Sequence, residues 1–295
     1  MIPASDHATE PPLAPGLYLV ATPLGNLEDI TLRALRVLRA AARIACEDTR
    51  HSQKLLSHFG IVAPTISLHL HNEKERIAPL LDAIRNGAAI ALISDAGTPA
   101  LSDPGGYLIA QTIAAGLPVF PVPGPCAAIA ALTASGLDTS RFLFAGFPPH
   151  RAGERRTLFE ALAQHPATLI FYEAPHRILD SLTDAGAVFG PSRPAVLARE
   201  LTKIHEEFLR GSLEELRANL ASRDLIRGEI VLLIAGQPAN VSAEAESTLD
   251  LAQQVQALLA EGFTEQDALK RIARQSGRGK SELYREWQRR KGRKE

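Results

Sequence analysis

The sequence is poor in the residues on which several protein classes depend. It has two cysteines in 295 residues, Cys46 and Cys126, both among apolar or small neighbours. A disulfide-stabilised secreted domain is therefore excluded, and we predict two small core residues in a reducing cytoplasm. No run of about eighteen apolar residues exists, so no membrane span is expected. The start of the chain lacks an apolar signal-peptide segment, and residues 1–15 are predicted to be a disordered lead-in.

Motifs for two further kinds of site are also missing. No glycine-rich G-x-G-x-x-G loop follows the first apolar run, which argues against a Rossmann-type cofactor site. His69 and His71 alternate along one predicted strand end and have no third ligand at a useful spacing, so no metal is predicted. With 45% hydrophobic residues, the chain is instead apolar and long enough for two domains with substantial cores.

Charge is distributed unevenly, although the formal net charge is only −1. Residues 270–295 hold eleven Lys/Arg and three Glu, a net of +8, so the remainder carries −9. A basic tail with interleaved Tyr284 and Trp287 favours an RNA partner, the alternative being a solvated helix face. Its basic residues are Lys270, Arg271, Arg274, Arg278, Lys280, Arg285, Arg289, Arg290, Lys291, Arg293 and Lys294. A predicted flexible loop after Pro149 would extend this surface through Arg151, Arg155 and Arg156.

Apolar runs alternate with amphipathic segments five times over residues 16–122. This alternation predicts right-handed crossovers and a mostly parallel sheet with helices on both faces. Polar clusters follow the predicted strands at their carboxyl ends, where open α/β sheets bind ligands. We therefore expect these clusters to converge on one rim of the sheet.

A Pro-Gly-Pro turn, residues 123–125, marks the predicted boundary between two α/β domains, 16–122 and 123–240. The second is expected to have a sheet of mixed strand direction. Residues 237–248 have the composition of a linker. Three short helical segments within 249–290, with Thr264 and Ser281 as N-caps, predict a helix-turn-helix-like RNA-binding module.

The densest polar chemistry follows the predicted strand Ala88 to Ile93. Small residues, carboxylates, prolines and glycines alternate through residues 94–106. The glycines let a ligand approach the backbone, and Asp95 and Asp103 offer acceptors for hydroxyls or a cation. The alternative is a plain strand-to-helix connection in which Asp103 or Ser102 caps the next helix.

Nine short motifs in fixed order resemble one family, although none of them is decisive alone. They resemble the tetrapyrrole methylase superfamily and, within it, the bacterial 16S rRNA (cytidine(1402)-2'-O)-methyltransferases. The resemblance covers about Gly16 to Gly236 and the terminal helical module. The motifs are Thr22–Leu27, Glu47–Arg50, His69–Glu73, Ser94–Pro99, Asp103–Gly105, Pro123–Pro125, Phe144–Pro149, Tyr172–Arg177 and Arg199–Lys203.

This resemblance implies two α/β domains with S-adenosylmethionine in the cleft between them. It also implies methyl transfer to a ribose 2'-hydroxyl in 16S rRNA of the small ribosomal subunit, and a homodimer. Some of the expected cofactor contacts lie on predicted strands, and for these a buried strand position is the alternative to ligand contact. The residues expected to contact the cofactor are Asp95, Ala96, Gly97, Thr98, Ser102, Asp103, Gly124, Cys126, Ala127, Phe171, Tyr172, Glu229, Ile230 and Val231.

A ribose hydroxyl is a weak acid, so its methylation benefits from a base or from a group that lowers its pKa. Lys203, near Glu200 and Glu206, is the preferred base if burial depresses its pKa. Asp48 with Arg50 is the second choice, the alternative being an ion pair or a helix start, and positioning alone can supply much of the rate. Arg177 is expected to grip a phosphate or to be a solvated first-turn residue. Other candidates at strand ends are Glu47, His69, His71, Glu173 and His176.

Two other functions remain open at this point. The same chemistry on a corrin-like tetrapyrrole would not need the basic terminal module. A DNA-binding regulator whose α/β part only senses a ligand would not need so many polar motifs on two domains. Transfer of label from S-adenosylmethionine to RNA, to a tetrapyrrole or to neither distinguishes the three.

Overall fold

The computed structural model describes residues 12–69, 72–237, 251–260, 262–276 and 279–291. It divides into two compact units. Residues up to 163 together with 167–235 form one, called here the α/β unit, and residues 164–166 with those from 236 onward form the other, the helical unit. The lead-in up to residue 11, His71 and linker residues 238–248 lie outside the described residues. Within the described ranges, every helix falls short of the length and apolarity that a bilayer crossing requires.

The first half of the α/β unit is a five-stranded parallel sheet. Its strands are β1 (Gly16–Val20), β2 (Arg43–Cys46), β3 (Thr65–Ser67), β4 (Ala89–Leu92) and β5 (Val119–Val122). Its helices are α1 (Leu32–Ala40), α2 (Thr49–His58), α3 (Glu73–Arg85) and α4 (Gly106–Ala114). The strand order is β3-β2-β4-β1-β5, and every neighbouring pair is parallel. The predicted parallel arrangement is confirmed.

The strands of this sheet are buried on both faces, because alternate side chains enter two different cores. In β4, Ala89 and Ala91 pack in the core that α1 and α2 cover. Ile90 and Leu92 pack on the other face, in the core that α3 and α4 cover. Double-sided burial explains why β4 is an unbroken apolar run. The polar residues are consequently confined to the loops at the strand ends.

A side-chain cap moves the start of α2 from its predicted position. The sequence predicts a start at Ser52, whereas the helix begins at Thr49. The Asp48 carboxylate accepts hydrogen bonds from the backbone N–H groups of Arg50 and His51, at 2.8 and 3.4 Å. These N–H groups have no partner inside the helix, so the carboxylate stabilises the earlier start.

Two other helix starts differ in how they are capped. Thr31 Oγ1 accepts a hydrogen bond from the backbone of the first turn of α1, as predicted. The N-cap of α4 is Gly105, at φ +115°, which has no side chain, and the Leu108 N–H of the first turn donates instead to Glu73 Oε1 at 2.9 Å. The predicted capping by Ser102 or Asp103 is therefore wrong, and both side chains are left for other contacts.

The second half of the α/β unit contains a mixed sheet, as predicted. Its strands are β6 (Phe142–Phe144), β7 (Thr168–Glu173), β8 (Pro194–Arg199), β9 (Glu207–Ser212) and β10 (Ile230–Ile234). Its helices are α5 (Ala127–Ser135), α6 (Ala152–Leu162), α7 (Ile178–Phe189) and α8 (Leu213–Ala221). The order is β6-β7-β10-β8-β9, parallel for β6–β7 and antiparallel elsewhere. The two sheets lie on either side of the Pro123–Pro125 turn, where the domain boundary stays a prediction.

Helices cover both faces of the mixed sheet. Phe171 of β7 packs with Phe159 in the core under α6, α7 and α8. Its neighbour Tyr172 points to the opposite face, beside the core that α5 covers. Leu24, from the loop after β1, belongs to this second core. The first half of the unit thus contributes a side chain to the core of the second.

A buried ion network joins α6 to α7. The Asp184 carboxylate receives Arg155 Nη2 at 2.5 Å and Arg156 Nε at 2.6 Å, and Arg155 and Asp184 are both buried. The predicted flexible loop is therefore wrong, because α6 already begins at Ala152. Arg151 precedes that helix and is exposed, so it alone among the three arginines keeps a fully solvated side chain.

The helical unit contains α9 (Leu251–Ala260), α10 (Glu265–Ser276) and α11 (Lys280–Lys291). Its core consists of Leu251, Val255, Leu269, Ile272, Leu283 and Trp287. Thr264 Oγ1 accepts a hydrogen bond from the Asp267 backbone N–H at 3.3 Å, which confirms the predicted N-cap. The third helix begins at Lys280, so Ser281 is not its cap.

The basic tail is only partly described. Lys270 is half-exposed and pairs with Asp267 at 3.3 Å, and Arg271 lies over the Phe263 ring. Trp287 is a core residue whose Nε1 donates to Glu265 at 2.7 Å, so it offers no stacking face. Tyr284 is exposed. Arg278, Arg293 and Lys294 lie outside the described residues.

Candidate active site

Three loops at the carboxyl edge of the first sheet are tied together by hydrogen bonds. Thr22, after β1, and Gly97, after β4, exchange two backbone hydrogen bonds of 2.9 and 3.0 Å. Ser94 Oγ donates to the Gly97 carbonyl at 3.2 Å. Thr98 Oγ1 donates to the carbonyl of Pro125, after β5, at 3.0 Å. The predicted convergence of these loops on one rim is confirmed.

The rim leaves little room for side chains. A Cβ at Gly97, where φ is +78°, would lie 3.1 Å from Leu24. A Cβ at Gly124 would lie 2.9 Å from that of Ala21. Both glycines therefore permit close packing of main chain, which also lets a ligand reach the backbone.

Three carboxylates face one another at this rim. Burial, followed by the charge of Glu47 and then of Asp95, raises the pKa of Asp103 to about 6. Burial and the charge of Asp95 likewise raise the pKa of Glu47. Asp95 Oδ1 is buried and has no hydrogen-bond partner within the described part of the chain. This cluster offers acceptors that form no ion pair with an arginine or lysine of the described residues.

Strained backbone occurs in only two segments of the described chain, and both were singled out from sequence. Ala100 and Ser102, in the loop after β4, have φ of 64° and 68°. Glu200 and Thr202, in the loop after β8, have φ of 52° and 64°. Non-glycine residues rarely adopt these angles, and such strain clusters at functional sites. Both loops are therefore candidates for ligand contact.

Tyr172 links the second sheet to the turn between the two sheets. Its hydroxyl accepts a hydrogen bond from the Ala128 backbone N–H at 3.3 Å, in the first turn of α5. Burial raises the pKa of Tyr172 to about 12, and Cys126 and Asp103 add to the shift. Tyr172 thus lies beside Cys126 and within electrostatic reach of the first-sheet carboxylates.

The remaining strand positions divide by the face on which their side chains lie. Phe171 and Ile230 are buried in the core under α6, α7 and α8, away from the rim. Val231 is buried in the core under α5. Their side chains favour the buried-strand alternative over cofactor contact. Glu229, before β10, is largely exposed and reaches Lys203 instead.

Lys203 is paired with carboxylates. Its Nζ lies 2.8 Å from Glu200 Oε1 and 3.3 Å from Glu229 Oε2. Burial lowers the pKa of Lys203, but hydrogen bonds and charges of both carboxylates outweigh this effect and raise it overall. The prediction that burial depresses the pKa of Lys203, as a lysine base would require, is therefore wrong. In return, the Lys203 hydrogen bond lowers the pKa of Glu200.

The two halves of the α/β unit meet at two glycines on this edge. A Cβ at Gly25, after β1, would lie 2.7 Å from Lys203 Cε, so the lysine stem covers that glycine. A Cβ at Gly146, after β6, would lie 3.5 Å from Ser102 Oγ. Loops of both sheets thus border one cleft.

The structure places the predicted contact residues of the rim together. These are Asp95, Ala96, Gly97, Thr98, Ser102, Asp103, Gly124, Cys126, Ala127 and Tyr172. Glu200, Lys203 and Glu229 border the same cleft from the second sheet. Sequence reasoning gave no role to Leu24, Gly25 or Phe147, although all three fall inside quoted motifs.

Asp48 and Arg50 have structural explanations. Asp48 caps α2, and these backbone hydrogen bonds lower its pKa. The Arg50 side chain is 93% exposed and lies 3.7 Å from Asp48. The alternative of a helix start with a surface ion pair accounts for both residues.

Arg177 is neither solvated nor free for a phosphate. It is buried, and its Nη2 lies 3.3 Å from Glu173 Oε1 and donates to the Pro148 carbonyl at 2.5 Å. Both earlier expectations for Arg177 are wrong. It also precedes α7, which begins at Ile178 rather than Pro175. In the described ranges, no group of three His, Cys, Asp or Glu residues is arranged to hold a metal.

Comparison with known proteins identifies the class to which this fold and cleft belong. Residues 16–217 match the family of Tetrapyrrole (Corrin/Porphyrin) Methylases. A solved structure of uroporphyrin-III C-methyltransferase from Thermus thermophilus, complexed with S-adenosylhomocysteine, superposes with a TM-score of 0.53 at 20% identity. The match covers 74% of this chain and 96% of that one.

Relatives with higher sequence identity indicate a group within this family. Ribosomal RNA small subunit methyltransferase I of Pseudomonas aeruginosa is 52% identical over 80% of this chain and 86% of its own length. The protein of the same name from Halalkalibacterium halodurans is 46% identical over 91% and 93%. This chain therefore belongs to the tetrapyrrole methylase family and, within it, to the ribosomal RNA small subunit methyltransferase I group.

Proposed function

We propose that this chain transfers a methyl group from S-adenosylmethionine to a ribose 2'-hydroxyl of 16S rRNA, at cytidine 1402. The observation that carries the proposal is the 46–52% identity to proteins named ribosomal RNA small subunit methyltransferase I, over most of both chains. The solved relative with S-adenosylhomocysteine supports the cofactor. The ribose oxygen and the cytidine follow from the motif resemblance.

The rim of the first sheet fits this cofactor chemically. A ribose diol needs acceptors, and Asp95 Oδ1 is buried with no partner in the described part of the chain. An amino-acid tail needs close approach to main chain, which the small residues Ala96, Gly97 and Gly124 allow. Bound here, S-adenosylmethionine supplies an electrophilic methyl group on a sulfonium. Tyr172 and Cys126 border the same space from the second sheet.

Lys203 supports the chemistry as a cation rather than as a base. A positive charge near a ribose hydroxyl lowers that hydroxyl's pKa. Despite burial, Lys203 remains protonated at neutral pH, because Glu200 and Glu229 raise its pKa. Asp103, with a pKa of about 6, is better matched to accept the hydroxyl proton. The first sheet thus supplies the acceptor and the second the cation.

The helical unit is assigned to RNA binding on the strength of its basic tail. Eleven Lys/Arg against three Glu in residues 270–295 favour a phosphate backbone. A homodimer and a cytoplasmic location complete the proposal. A corrin-like tetrapyrrole would leave this tail without a role.

The direct test supplies radiolabelled S-adenosylmethionine and small ribosomal subunits from a strain that lacks this methyl group. We expect label in 16S rRNA, within a dinucleotide resistant to alkali, because a 2'-O-methyl ribose cannot be cleaved at its own phosphate. Label on a base would contradict the oxygen acceptor. Label only in uroporphyrinogen, or cofactor binding without transfer, would overturn the RNA assignment.

A lysine variant tests the cationic role. Lys203→Met is expected to lower kcat by roughly 10²–10³-fold, as loss of one charge-stabilising group does elsewhere. Its dissociation constant for S-adenosylmethionine should stay near that of the wild type. Lys54→Met, which removes an exposed lysine of α2, is the matched control. Near-normal turnover of Lys203→Met would remove the lysine from the mechanism.

A further inference from the structure

An exposed aromatic ring borders the cleft without a role in the mechanism above. Phe147, in the loop that follows β6, is 53% exposed. One edge of its ring rests on Tyr172, with centroids 5.6 Å apart and planes inclined by 65°. The exposed part of the ring is apolar surface that a flat ligand would bury.

Hydrogen bonds from β7 and from the Arg177 side chain fix the loop that carries Phe147. The Gly146 carbonyl accepts a hydrogen bond from the Tyr172 backbone N–H at 3.0 Å. Arg177 Nη2 donates to the Pro148 carbonyl at 2.5 Å, and its Nη1 contacts the His150 ring at 3.0 Å. A ring fixed in this way loses little conformational freedom when a ligand stacks on it.

Arg177 is itself fixed by buried partners. It pairs with Glu173, which also accepts a hydrogen bond from the Ser181 hydroxyl of α7. The buried charge network therefore ends at the carbonyl of Pro148, the residue directly after Phe147. Arg177 is consequently a positioning residue for this loop.

Phe147 lies on the edge of the second sheet that also carries Lys203. The strand order places β6 beside β7, then β10, then β8, and the loop after β8 holds Lys203. Three strand spacings separate the two loops, on the order of 14 Å. On its other side, Gly146 approaches Ser102 of the first sheet. The ring thus lies at the same edge of the second sheet as Lys203 and beside a rim loop of the first sheet.

We infer that Phe147 is the platform on which the base of the target nucleotide stacks. This inference rests on the proposed function. A nucleotide whose ribose enters a protein cleft must leave its neighbours in the RNA, and unstacked bases in RNA-binding proteins are held on aromatic rings. Arg151, four residues further on, is 85% exposed and pairs at the surface with Glu154 at 3.2 Å, a contact that an adjacent phosphate would have to replace.

Three substitutions of Phe147 separate stacking from simple apolar contact. Phe147→Ala should raise KM for small subunits roughly tenfold to a hundredfold, the range expected for loss of one stacked base. Phe147→Trp should retain near-normal KM, whereas Phe147→Leu should resemble the alanine variant. The dissociation constant for S-adenosylmethionine should not change in any of the three.

Phe142→Ala is the matched control, because Phe142 is 46% exposed at the opposite end of the same strand. It should leave KM for small subunits unaltered. Circular dichroism and thermal melting of each variant establish that it is folded. An RNA fragment with pyrrolocytidine at the target position reports stacking directly, because its fluorescence should be quenched by wild type and much less by Phe147→Ala.

Other outcomes overturn the inference. Unchanged KM and quenching in Phe147→Ala would show that no base stacks there. A weaker cofactor affinity would show that the ring acts through Tyr172, and a change in oligomeric state would show that another copy of the chain covers it. Failure of the wild type to methylate RNA would instead remove the proposed function, so the two failures are distinguishable.

Discussion

The carboxylates at the rim of the first sheet and the ion-paired carboxylates of the second sheet have pKa values shifted in opposite directions. In the first half, burial and mutual repulsion raise the pKa of Glu47 and bring that of Asp103 to about 6. In the second half, hydrogen bonds from Arg223, against an opposing effect of burial, lower the pKa of Glu207 to about 2. Glu200 is likewise shifted down by Lys203.

This difference separates carboxylates that hold the fold from carboxylates that await a ligand. An acid paired with a buried cation stabilises the native state and has little capacity left for binding. Acids that repel one another destabilise it and persist where function needs them. This difference supports the proposal that the first sheet binds the cofactor and that the second supplies positive charge.

Removing Asp184 tests the structural side of this contrast and should have the largest effect. Asp184→Ala leaves Arg155 buried without its carboxylate partner, which typically costs about 3–5 kcal/mol of unfolding free energy. Urea or guanidinium unfolding measures the loss. Asp82→Ala, which breaks the exposed pair with Arg85, is the control and should cost less than about 1 kcal/mol. Equal losses for the two variants would contradict the contrast.

Disturbing Lys203 without replacing it tests whether its position matters. In Gly25→Ala the new methyl group meets the lysine stem, so the ammonium must move away from Glu200 and Glu229. We expect kcat to fall roughly 10- to 100-fold, the sensitivity expected for a small misplacement of a catalytic group. Gly153→Ala, where no atom lies within 4 Å, is the control and should be neutral. Unchanged turnover of Gly25→Ala would separate Lys203 from the reaction.

Replacing Asp103 by a neutral residue should lower activity and raise stability. Its folded-state pKa of about 6 exceeds the ordinary value of 3.8, so the native protein loses stability as pH rises through that interval. Asp103→Asn should therefore melt at a higher temperature than wild type at about pH 8. The advantage should shrink as pH falls through about 6 and be absent below the ordinary value. Methylation should fall, and an Asn variant without added stability at high pH would contradict the repulsion.

Substitutions of Asp48 should have the smallest effect, and they distinguish a helix cap from a catalytic carboxylate. Asparagine caps helices as well as aspartate does, so Asp48→Asn should keep both stability and methylation rate. Asp48→Ala removes the cap and should lower the melting temperature slightly while leaving the rate unchanged. Loss of methylation in Asp48→Asn, with normal melting, would restore a catalytic carboxylate there.

Much of the scaffold was predictable because local pattern and tertiary environment agree. The unbroken apolar run at β4 indicates burial on both faces, and the structure places it at the centre of a parallel sheet. Polar residues confined to strand ends must share an edge in such a sheet, which is why Thr22, Gly97 and Pro125 were expected together. Helix α8 begins where Ser212 caps it in a capping box, a signal that is local in the sequence.

The electrostatics could not be read from the sequence. Lys203 was expected near Glu200 and Glu206, yet its second carboxylate is Glu229, 26 residues further along the chain. Burial lowers the pKa of Lys203, but the hydrogen bond to Glu200, followed by the charge of Glu229, outweighs this effect and raises it, opposite to the expected direction. Arg155 and Arg177 were expected in solvent because their neighbours in sequence are polar. Their partners Asp184 and Pro148 lie 29 residues away, and only the fold brings them together.

Leu24 sets a condition on any attempt to recombine this protein with a relative. The loop after β1 belongs to the rim proposed to bind the cofactor, yet its leucine is packed among side chains of the second sheet. In a chimera joined at the Pro123–Pro125 turn, this leucine would pack into the core of the other protein's second sheet, even where the first half folds normally. A chimera must therefore take Leu24 and the second-sheet residues that it contacts from the same parent protein.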